Sequence, residues 1–358
     1  MQKFSNILLD NSNKARDLNI EEIFPKPLLG NIISFGKLAK WAAYIDKYLI
    51  FQKRLKSTLE KSNQNLHLTH IIDQSNAIYL RTIRKTSSVK CLLTCHDLIA
   101  IRTALGEFPS APQTSSSGKR LQSWIKDSLP LADFYACDSE ETQKDLNRIV
   151  PLSLKSSEVI HLGTESDSTK QTNSQTLDFD PCQTIYLLHV GSAAWYKNRR
   201  AVFKSFLRAK NYPYGKKLKL ILVGPNPQTH EINTELCISL KKYSKDVICL
   251  ENISHATLIQ LYLHAKLLLF PSFIEGFGWP PLEAANMGCS VITTKTGAIY
   301  ELLGDNARYV DPVNQESINK AVTDELERAS TQRLKVSLPS NQQCRVNYFQ
   351  LYRELLQI

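Results

Sequence analysis

The chain has 358 residues, 42% of them hydrophobic, and its 44 lysines and arginines against 34 aspartates and glutamates give a net formal charge of +10. This size and composition are typical of two globular domains and exclude a wholly disordered chain, a collagen-like chain and a disulfide-stabilised miniprotein. No apolar run reaches the ~18–20 residues of a membrane span, and the N-terminus lacks a signal-peptide pattern, so we expect a cytoplasmic protein. The positive charge suits anionic ligands; since nothing but charge favours nucleic acid, we expect no nucleic-acid partner.

The first half of the chain alternates strand-like and helix-like segments. Short apolar runs predict strands at 68–72, 89–94, 134–137 and 159–161, and a further run at 6–9 is compatible with a strand. Helical spacing of apolar residues predicts helices at 74–84, 120–129 and 140–149. A long helical pattern at 38–61 carries aromatic and basic side chains together.

The second half shows the same alternation more clearly. It follows a polar, Ser/Thr-rich stretch at 164–181, which reads as an interdomain linker. Apolar runs predict strands at 184–190, 218–223, 247–250, 267–270, 290–293 and 307–310. Helical spacing predicts helices at 199–210, 231–243, 255–264, 281–287 and 316–329. Short strands alternating with helices predict an α/β fold with parallel sheets covered on both faces.

These patterns predict four segments. We expect an N-terminal domain at 1–165, a linker at 166–182 and a second domain at 183–335. Residues 336–358 are expected to form a helix that packs back on the first domain. Ligands of such sheets collect beyond the carboxyl ends of the strands, so we expect the functional residues in loops that follow strands.

Metal chemistry has little support in the sequence. The eight cysteines form no CxxC pair and mostly lie in apolar runs, which predicts free, buried thiols in a reducing compartment. The Cys95–His96–Asp97 cluster lacks a second ligand pair with zinc-like spacing. Asp178 and Asp180 spell a DxD pattern, but it lies before a strand, in the polar linker. We therefore predict no metal site.

The most informative stretch is 270–288, FPSFIEGFGWPPLEAANMG. A predicted strand ends there, a glycine-containing loop follows, and Pro280 and Pro281 open a helix, which suits a phosphate at the helix N-terminus. Glu275 lies before this glycine-containing loop and helix N-terminus, and Glu283 lies in the predicted first turn of the helix. The pair can therefore bind hydroxyl groups on either side of a phosphate. A glutamate in a first turn is also favoured by the helix dipole alone, and glycine and proline are ordinary loop residues.

The segment EGFGWPPLE resembles the E-x7-E motif of the retaining glycosyltransferases of family 4. The similarity continues through LLLFPSFIEGFGWPPLEAANMGCSVITTKTGAIYELLGDNARYVDP and upstream in LLHVGSAAWYKN, and covers roughly residues 66–330. It implies a GT-B fold, with two Rossmann-like domains facing across a cleft. It also implies a retaining, metal-independent hexosyltransferase similar to bacterial mannosyltransferases, acting in polysaccharide, lipopolysaccharide or glycolipid synthesis.

The resemblance also implies roles for individual residues. Glu283 would bind the donor ribose, and Glu275 the donor sugar, with the backbone of Gly276, Phe277 and Gly278 nearby. Lys197 would neutralise the diphosphate, and His96 would contact the donor sugar, unless it is a structural histidine in a turn with Asp97. The implied donor-site residues are completed by Gly191, Ser192, Asn198 and Leu282. No cofactor is implied beyond the nucleotide-diphosphate sugar, linked to GDP or UDP.

The sequence departs from the family pattern in two places. Ser192 and Tyr196 stand where family members often carry an arginine, which leaves Arg199 or Arg200 as replacements. No glycine-rich loop follows a convincing first strand. A non-catalytic nucleotide-sugar-binding homologue, or an epimerase or phosphorylase on the same fold, therefore stays open as an alternative.

The aromatic and basic residues at 41–56 raise a further expectation. Many family members glycosylate a lipid-linked acceptor, and a basic amphipathic helix can lie on an anionic membrane. We therefore expect a carbohydrate or lipid-linked acceptor and peripheral contact at the inner face of the plasma membrane. The alternative is a helix whose apolar face packs on the core while its basic face is solvated.

Overall fold

The computed structural model describes residues 2–9, 17–29, 36–62, 66–150, 156–164, 177–227, 234–328 and 336–357. Within these ranges the chain forms two parallel sheets, one in each half, with helices on their faces. The α/β class predicted from the sequence is thereby confirmed. The glycine at position 30 and most of the linker lie outside the described residues.

The first sheet has four parallel strands in the order β1-β2-β3-β4. They are β1 (Leu68–Ile71), β2 (Lys90–Cys95), β3 (Phe134–Cys137) and β4 (Ser156–Val159). From Cys91 to Cys95 every residue of β2 is buried, because helices cover both faces of the sheet.

The helices of the first half account for the long amphipathic pattern near the N-terminus. They are α1 (Gln2–Leu9), α2 (Gly36–Ile45), α3 (Phe51–Ser62), α4 (Tyr79–Thr86), α5 (Ile99–Ala104), α6 (Ser116–Lys126) and α7 (Glu140–Ile149). A π-helical turn, Asp46–Ile50, joins α2 to α3. The predicted helix at 38–61 is therefore confirmed as a helical path, with the π turn inside it. Phe51, Leu55 and Leu59 of α3 are buried against the first sheet's core.

The second sheet has six parallel strands in the order β10-β9-β8-β5-β6-β7. They are β5 (Tyr186–Val190), β6 (Lys219–Val223), β7 (Val247–Leu250), β8 (Leu267–Phe270), β9 (Val291–Thr293) and β10 (Arg308–Tyr309). The order of the strands reverses between β5 and β8. Ligands of such sheets bind at this point of reversal, where neighbouring loops diverge and leave a crevice.

The helices of the second half are α8 (Arg199–Ala209), α9 (Thr234–Lys241), α10 (His255–His264), α11 (Trp279–Asn286), α12 (Ala298–Leu303), α13 (Gln315–Glu327) and α14 (Asn341–Leu356). None of the helices in the described ranges is long and apolar enough to cross a membrane. Five of the eight cysteines are buried, and all eight are free thiols.

Two predicted strands are wrong. The segment 6–9 belongs to helix α1, because Phe4, Ile7 and Leu8 recur at helical spacing and bury one face. The strand expected at 159–161 is β4, which ends at Val159. Its exposed residues Ser156 and Glu158 alternate with the half-buried Ser157 and Val159 at the edge of the sheet, so its apolar signal is weak. Helices α5 and α12 were not predicted.

The last helix, α14, packs against α1 and β1 of the first half. The hydroxyl groups of Tyr348 and Thr94 lie 3.0 Å apart, and the Tyr352 hydroxyl lies 2.7 Å from Nδ1 of His70. Leu92 and Leu188, from the two sheets, belong to one hydrophobic cluster that also includes Tyr348. The two halves therefore share part of their core.

Candidate active site

Two loops at the carboxyl ends of β5 and β8 form the candidate active site. The β5 loop ends at Asn198, whose backbone is in the left-handed region with φ 51°. Asn198 Nδ2 donates hydrogen bonds to the carbonyl oxygens of Pro271 (3.1 Å) and Pro312 (2.9 Å). Both amide protons are thus used on the backbone, and the predicted donor-site residue Asn198 ties the β5 loop to the β8 loop.

Lys197 and Glu275, one from each loop, form an ion pair. Lys197 Nζ lies 2.8 Å from Oε1 and 2.9 Å from Oε2 of Glu275. Only 13% of the lysine side chain and 7% of the glutamate side chain are exposed. Nζ also lies 4.9 Å from the centroid of the Phe270 ring, at the end of β8. A nearly buried ammonium group and a carboxylate therefore face the same point of the crevice.

Close backbone contacts fix the β8 loop. Glu275 donates its backbone N–H to Oγ1 of Thr296 (3.0 Å), in the loop that follows β9. Gly297 has φ +56°, and a Cβ atom there would lie 2.5 Å from the carbonyl oxygen of Gly276. Gly278, with φ +87°, packs its Cα against Ile299. Only glycine fits at these positions, so the glycines serve the packing of this loop.

Glu283 lies further along, inside helix α11. The helix begins at Trp279, so Glu283 is its fifth residue and not part of its first turn, which corrects the prediction. Its carboxylate is nearly buried and accepts a hydrogen bond from the Tyr262 hydroxyl (3.2 Å). Burial, with the Glu283 carboxylate beside it, raises the pKa of Tyr262 well above its usual value. The tyrosine thus stays a hydrogen-bond donor that orients Glu283.

The remaining predicted donor-site residues lie along the same loops. Gly191 follows β5, and the Cα of Gly224 approaches it so closely that a Cβ there would meet the Gly191 oxygen at 2.1 Å. Ser192 is exposed, whereas the side chains of Phe277 and Leu282 are buried in the hydrophobic core. Phe277 and Leu282 can therefore present only backbone atoms to a ligand.

His96 enters the same site from the first half. It follows β2, and the Gly276 backbone approaches it so closely that a Cβ on Gly276 would lie 2.1 Å from the His96 carbonyl oxygen. His96 Nδ1 donates to Asp138 Oδ2 (2.7 Å) and Nε2 to the carbonyl oxygen of Ile72 (2.9 Å). Burial lowers the pKa of His96, but the Asp138 carboxylate more than offsets this and raises it to about 9.

His96 is thus an imidazolium ion at neutral pH, with both N–H groups donated inside the protein. A hydrogen bond from either nitrogen to a sugar requires one of these bonds to break. This geometry favours the alternative of a structural histidine. Its carboxylate partner is Asp138, which follows β3, and not Asp97, whose Oδ1 accepts the N–H of Ile99.

The predicted replacements for the missing arginine lie at the start of α8. Arg199 is buried and donates from Nη1 to the carbonyl oxygen of Pro225 (2.9 Å), which directs its guanidinium towards the loop after β6. Arg200 is exposed. The cation that contacts Glu275 is Lys197.

Sequence reasoning missed Asp138, Thr296 and the interdomain residue Glu141. Asp138 was detectable, because it directly follows a predicted strand.

The described residues contain no group of three or more histidine, cysteine, aspartate or glutamate side chains that could hold a metal ion. Asp180, of the DxD pattern, is exposed and accepts the backbone N–H of Cys182.

The sequence is similar to known glycosyltransferases. Residues 178–336 match the family glycosyl transferases group 1. The serotype-specific mannosyltransferase WbdA of Escherichia coli is 25% identical over 260 residues, which are 68% of this chain and 30% of that protein. The O-antigen chain mannosyltransferase RfbU of Salmonella typhimurium is 31% identical over 137 residues, which are 38% of this chain and 37% of that protein. The chain thus spans about a third of the length of these curated relatives.

Solved structures share the fold at low identity. The sucrose-phosphate synthase of Thermosynechococcus elongatus gives a TM-score of 0.68 at 18% identity, covering 96% of this chain and 87% of that chain. The apo structure of OtsA gives 0.64 at 13% identity, covering 92% and 80%. An E. coli protein described as trehalose-6-phosphate bound with UDP-2-fluoro glucose gives 0.62 at 12% identity, covering 92% and 80%. These structures confirm the predicted GT-B fold, and residues 178–336 are similar to the glycosyl transferases group 1 family.

Proposed function

We propose that this protein is a retaining hexosyltransferase. It moves a hexose from a nucleotide-diphosphate sugar to a hydroxyl group of a carbohydrate or lipid-linked acceptor, in the synthesis of polysaccharide, lipopolysaccharide or glycolipid. The observation that carries the proposal is the Lys197–Glu275 pair at the point where the order of the second sheet reverses. The names of the relatives, both mannosyltransferases, favour mannose as the sugar.

Each charged group has a role in this reaction. Lys197 turns from Glu275 towards the diphosphate, whose negative charge grows as the bond to the sugar breaks, so its cation stabilises the transition state more than the ground state. Glu275 then accepts hydrogen bonds from sugar hydroxyl groups, and Glu283 from the ribose. With Lys197 and the N-terminus of α11 supplying positive charge, we propose that catalysis requires no metal ion or other cofactor.

The chemical step exchanges two bonds at the anomeric carbon. The bond from this carbon to the diphosphate oxygen breaks, and a bond to the acceptor oxygen forms on the same face of the sugar. The acceptor's proton passes to the departing phosphate oxygen. Trapping of a covalent sugar adduct on a carboxylate of the enzyme would contradict this front-face mechanism.

The donor proposal is tested by thermal shift. Wild type and Glu283→Ala are compared with GDP, UDP, ADP and their common sugar conjugates. A ligand at 100 times its Kd stabilises the folded protein by about 2.7 kcal/mol, which is a measurable shift. A shift with GDP-mannose that is lost in Glu283→Ala supports the donor site and the assignment of the base. No shift with any of these nucleotides contradicts it.

Transfer itself is tested by nucleotide release and by the anomeric configuration of the product. Release that requires an added glycan or lipid-linked acceptor supports a transferase. Conversion of the donor without an acceptor indicates an epimerase, and sugar release that requires inorganic phosphate indicates a phosphorylase. A product with inverted configuration contradicts the retaining assignment.

We also propose peripheral membrane contact by the first half of the chain. Phe24, Leu28, Ile45 and Leu49 are exposed large apolar residues, and the basic residues of α3 face solvent. The apolar stripe of α3 itself packs on the core, so contact would rest on these exposed residues and on charge. Co-sedimentation with anionic vesicles at low salt, and its absence with neutral vesicles, is the expected result. Equal recovery in the supernatant with both contradicts the proposal.

A further inference from the structure

Glu141 of the first half forms hydrogen bonds with the second half beside the candidate active site. It is the second residue of α7, and its carboxylate accepts the backbone N–H of Gly297, directly before α12. Burial raises the pKa of the Glu141 carboxylate, and the Thr296 side chain beside it counters this rise. One carboxylate from the first half therefore lies against two neighbouring residues of the β9 loop.

Thr296 connects this contact to the Lys197–Glu275 pair. Its Oγ1 accepts the backbone N–H of Glu275 (3.0 Å), and a hydroxyl group can donate one hydrogen bond while it accepts another. Thr296 can therefore donate towards Glu141 while it accepts the backbone N–H of Glu275. Thr296 is 5% exposed, so water does not readily substitute for either partner.

Gly297 packs against the backbone of the same loop. The space that a Cβ atom would need at Gly297 is filled by the carbonyl oxygens of Gly276, at 2.5 Å, and Glu275, at 2.8 Å. A shift of Gly297 therefore displaces the backbone of Glu275 and Gly276. The carboxylate of Glu141 accepts the N–H of Gly297 and lies beside Thr296, the two residues that contact this backbone.

We infer that Glu141 is a positioning residue for donor binding, acting through Thr296 and Gly297 on the backbone of Glu275. The first half of the chain, as well as the second, then fixes the site that holds the donor sugar. This inference rests on the proposed function. It predicts that donor affinity depends on a residue that does not itself contact the donor.

The structure offers a matched control for this role. Glu301 of α12 also joins the two halves, since its Oε1 accepts the backbone N–H of Glu140 (2.9 Å) and its Oε2 lies 2.9 Å from Nε2 of His161. Oε1 also accepts the backbone N–H of Glu141 (3.4 Å). Glu301→Gln therefore weakens the contact between α7 and α12 but leaves the Glu141 carboxylate and its hydrogen bond to Gly297 in place.

The test compares Glu141→Ala, Glu141→Gln, Thr296→Val and Glu301→Gln in the full chain. We expect the donor KM to rise about tenfold in Glu141→Ala and Thr296→Val, equivalent to about 1.4 kcal/mol, because each removes a contact that positions the backbone of Glu275. Glu141→Gln, which keeps one acceptor oxygen, is intermediate. The acceptor KM is unchanged, and the double variant is no worse than either single variant, because both break one connection. Loss of folded enzyme would lower kcat without changing KM.

Amide hydrogen exchange supplies a readout that needs no donor. Exchange at Glu275 should accelerate in Glu141→Ala and Thr296→Val, but not in Glu301→Gln. Equal acceleration in Glu301→Gln, or none in Glu141→Ala, overturns the inference whatever the activity. Accelerated exchange in a protein whose wild type binds no nucleotide sugar supports the connection and contradicts the proposed function instead.

Discussion

Lys197 Nζ is bonded to both carboxylate oxygens of Glu275, at 2.8 and 2.9 Å, although the two residues are separated by 78 positions in the chain. Without substrate, the two charges neutralise each other at a position that is largely shielded from water. A diphosphate that approaches Lys197 must therefore take the ammonium group away from Glu275. In the proposed reaction the released carboxylate accepts hydroxyl groups of the sugar, and binding of the two parts of the donor is then coupled.

The ion pair also stabilises the fold, which a double-mutant cycle can measure. Lys197→Met leaves the Glu275 carboxylate without its partner and is expected to lower the free energy of unfolding by about 3 kcal/mol. Adding Glu275→Gln should recover a large part of this loss, because the uncompensated charge is removed. Urea unfolding of the four proteins gives the coupling energy. Strictly additive losses would show that the pair contributes nothing to stability.

A methyl group on Gly276 should keep the halves apart. In Gly276→Ala the new Cβ would lie 2.1 Å from the carbonyl oxygen of His96, which is backbone and cannot rotate away. We expect kcat/KM for transfer to fall at least 100-fold, equivalent to about 2.7 kcal/mol. Gly106→Ala is the control, since a Cβ there meets nothing within 4 Å and costs only backbone strain from its φ of +81°. Similar activity of the two variants would contradict the close approach.

The pair of His96 and Asp138 should make stability fall at alkaline pH. The pKa of His96 is raised to about 9 in the folded protein, against 6.5 unfolded, so its contribution is complete below pH 6.5 and is lost as the pH rises through 9. The expected loss is about 3 kcal/mol, since one pKa unit corresponds to about 1.4 kcal/mol. Denaturant unfolding between pH 6 and 10 measures it. His96→Gln should flatten this slope, and an unchanged slope would assign it to other groups.

Two buried histidines should lower the stability of the folded protein at acid pH. Burial lowers the pKa of His70 and of His189 to about 3, so both are neutral in the folded protein. Their contribution is complete above the unfolded pKa of about 6.5 and is lost as the pH falls from there towards 3. At pH 4.5 each should cost about 2–3 kcal/mol. His189→Leu is expected to reduce the dependence of stability on pH between 4.5 and 6.5; no change would exclude His189 as a cause.

Strand β8 could be predicted because it is buried throughout: residues 267–270 form a continuous apolar run, and the observed strand has these bounds. The half-buried edge strand β7 is also a continuous apolar run, at 247–250, and has the predicted bounds. The errors fall where the apolar signal is short or weak. Helix α1 places three buried side chains over eight residues, of which the run at 6–9 contains only part. Strand β4 lies at an edge of the first sheet, and most of its residues are polar.

The site could be predicted only in part, for a physical reason. A motif indicates which residues lie in a loop after a strand, and so it identified Lys197 and Glu275. It does not indicate which loops from the other domain will meet them. The roles of Asp138 and Glu141 depend on how the two sheets pack together. The resemblance also suggested a sugar contact for His96, whose ring nitrogens the structure shows bonded to protein groups.

The packing of α14 on the first sheet has a consequence for folding during synthesis. His70 and Thr94 leave the ribosome more than 240 residues before Tyr348 and Tyr352, to which they are hydrogen-bonded in the structure. Until then their polar groups lack these partners, and the surface that α14 covers stays open to solvent or to chaperones. The half that is translated first is therefore among the last parts of the molecule to be completed.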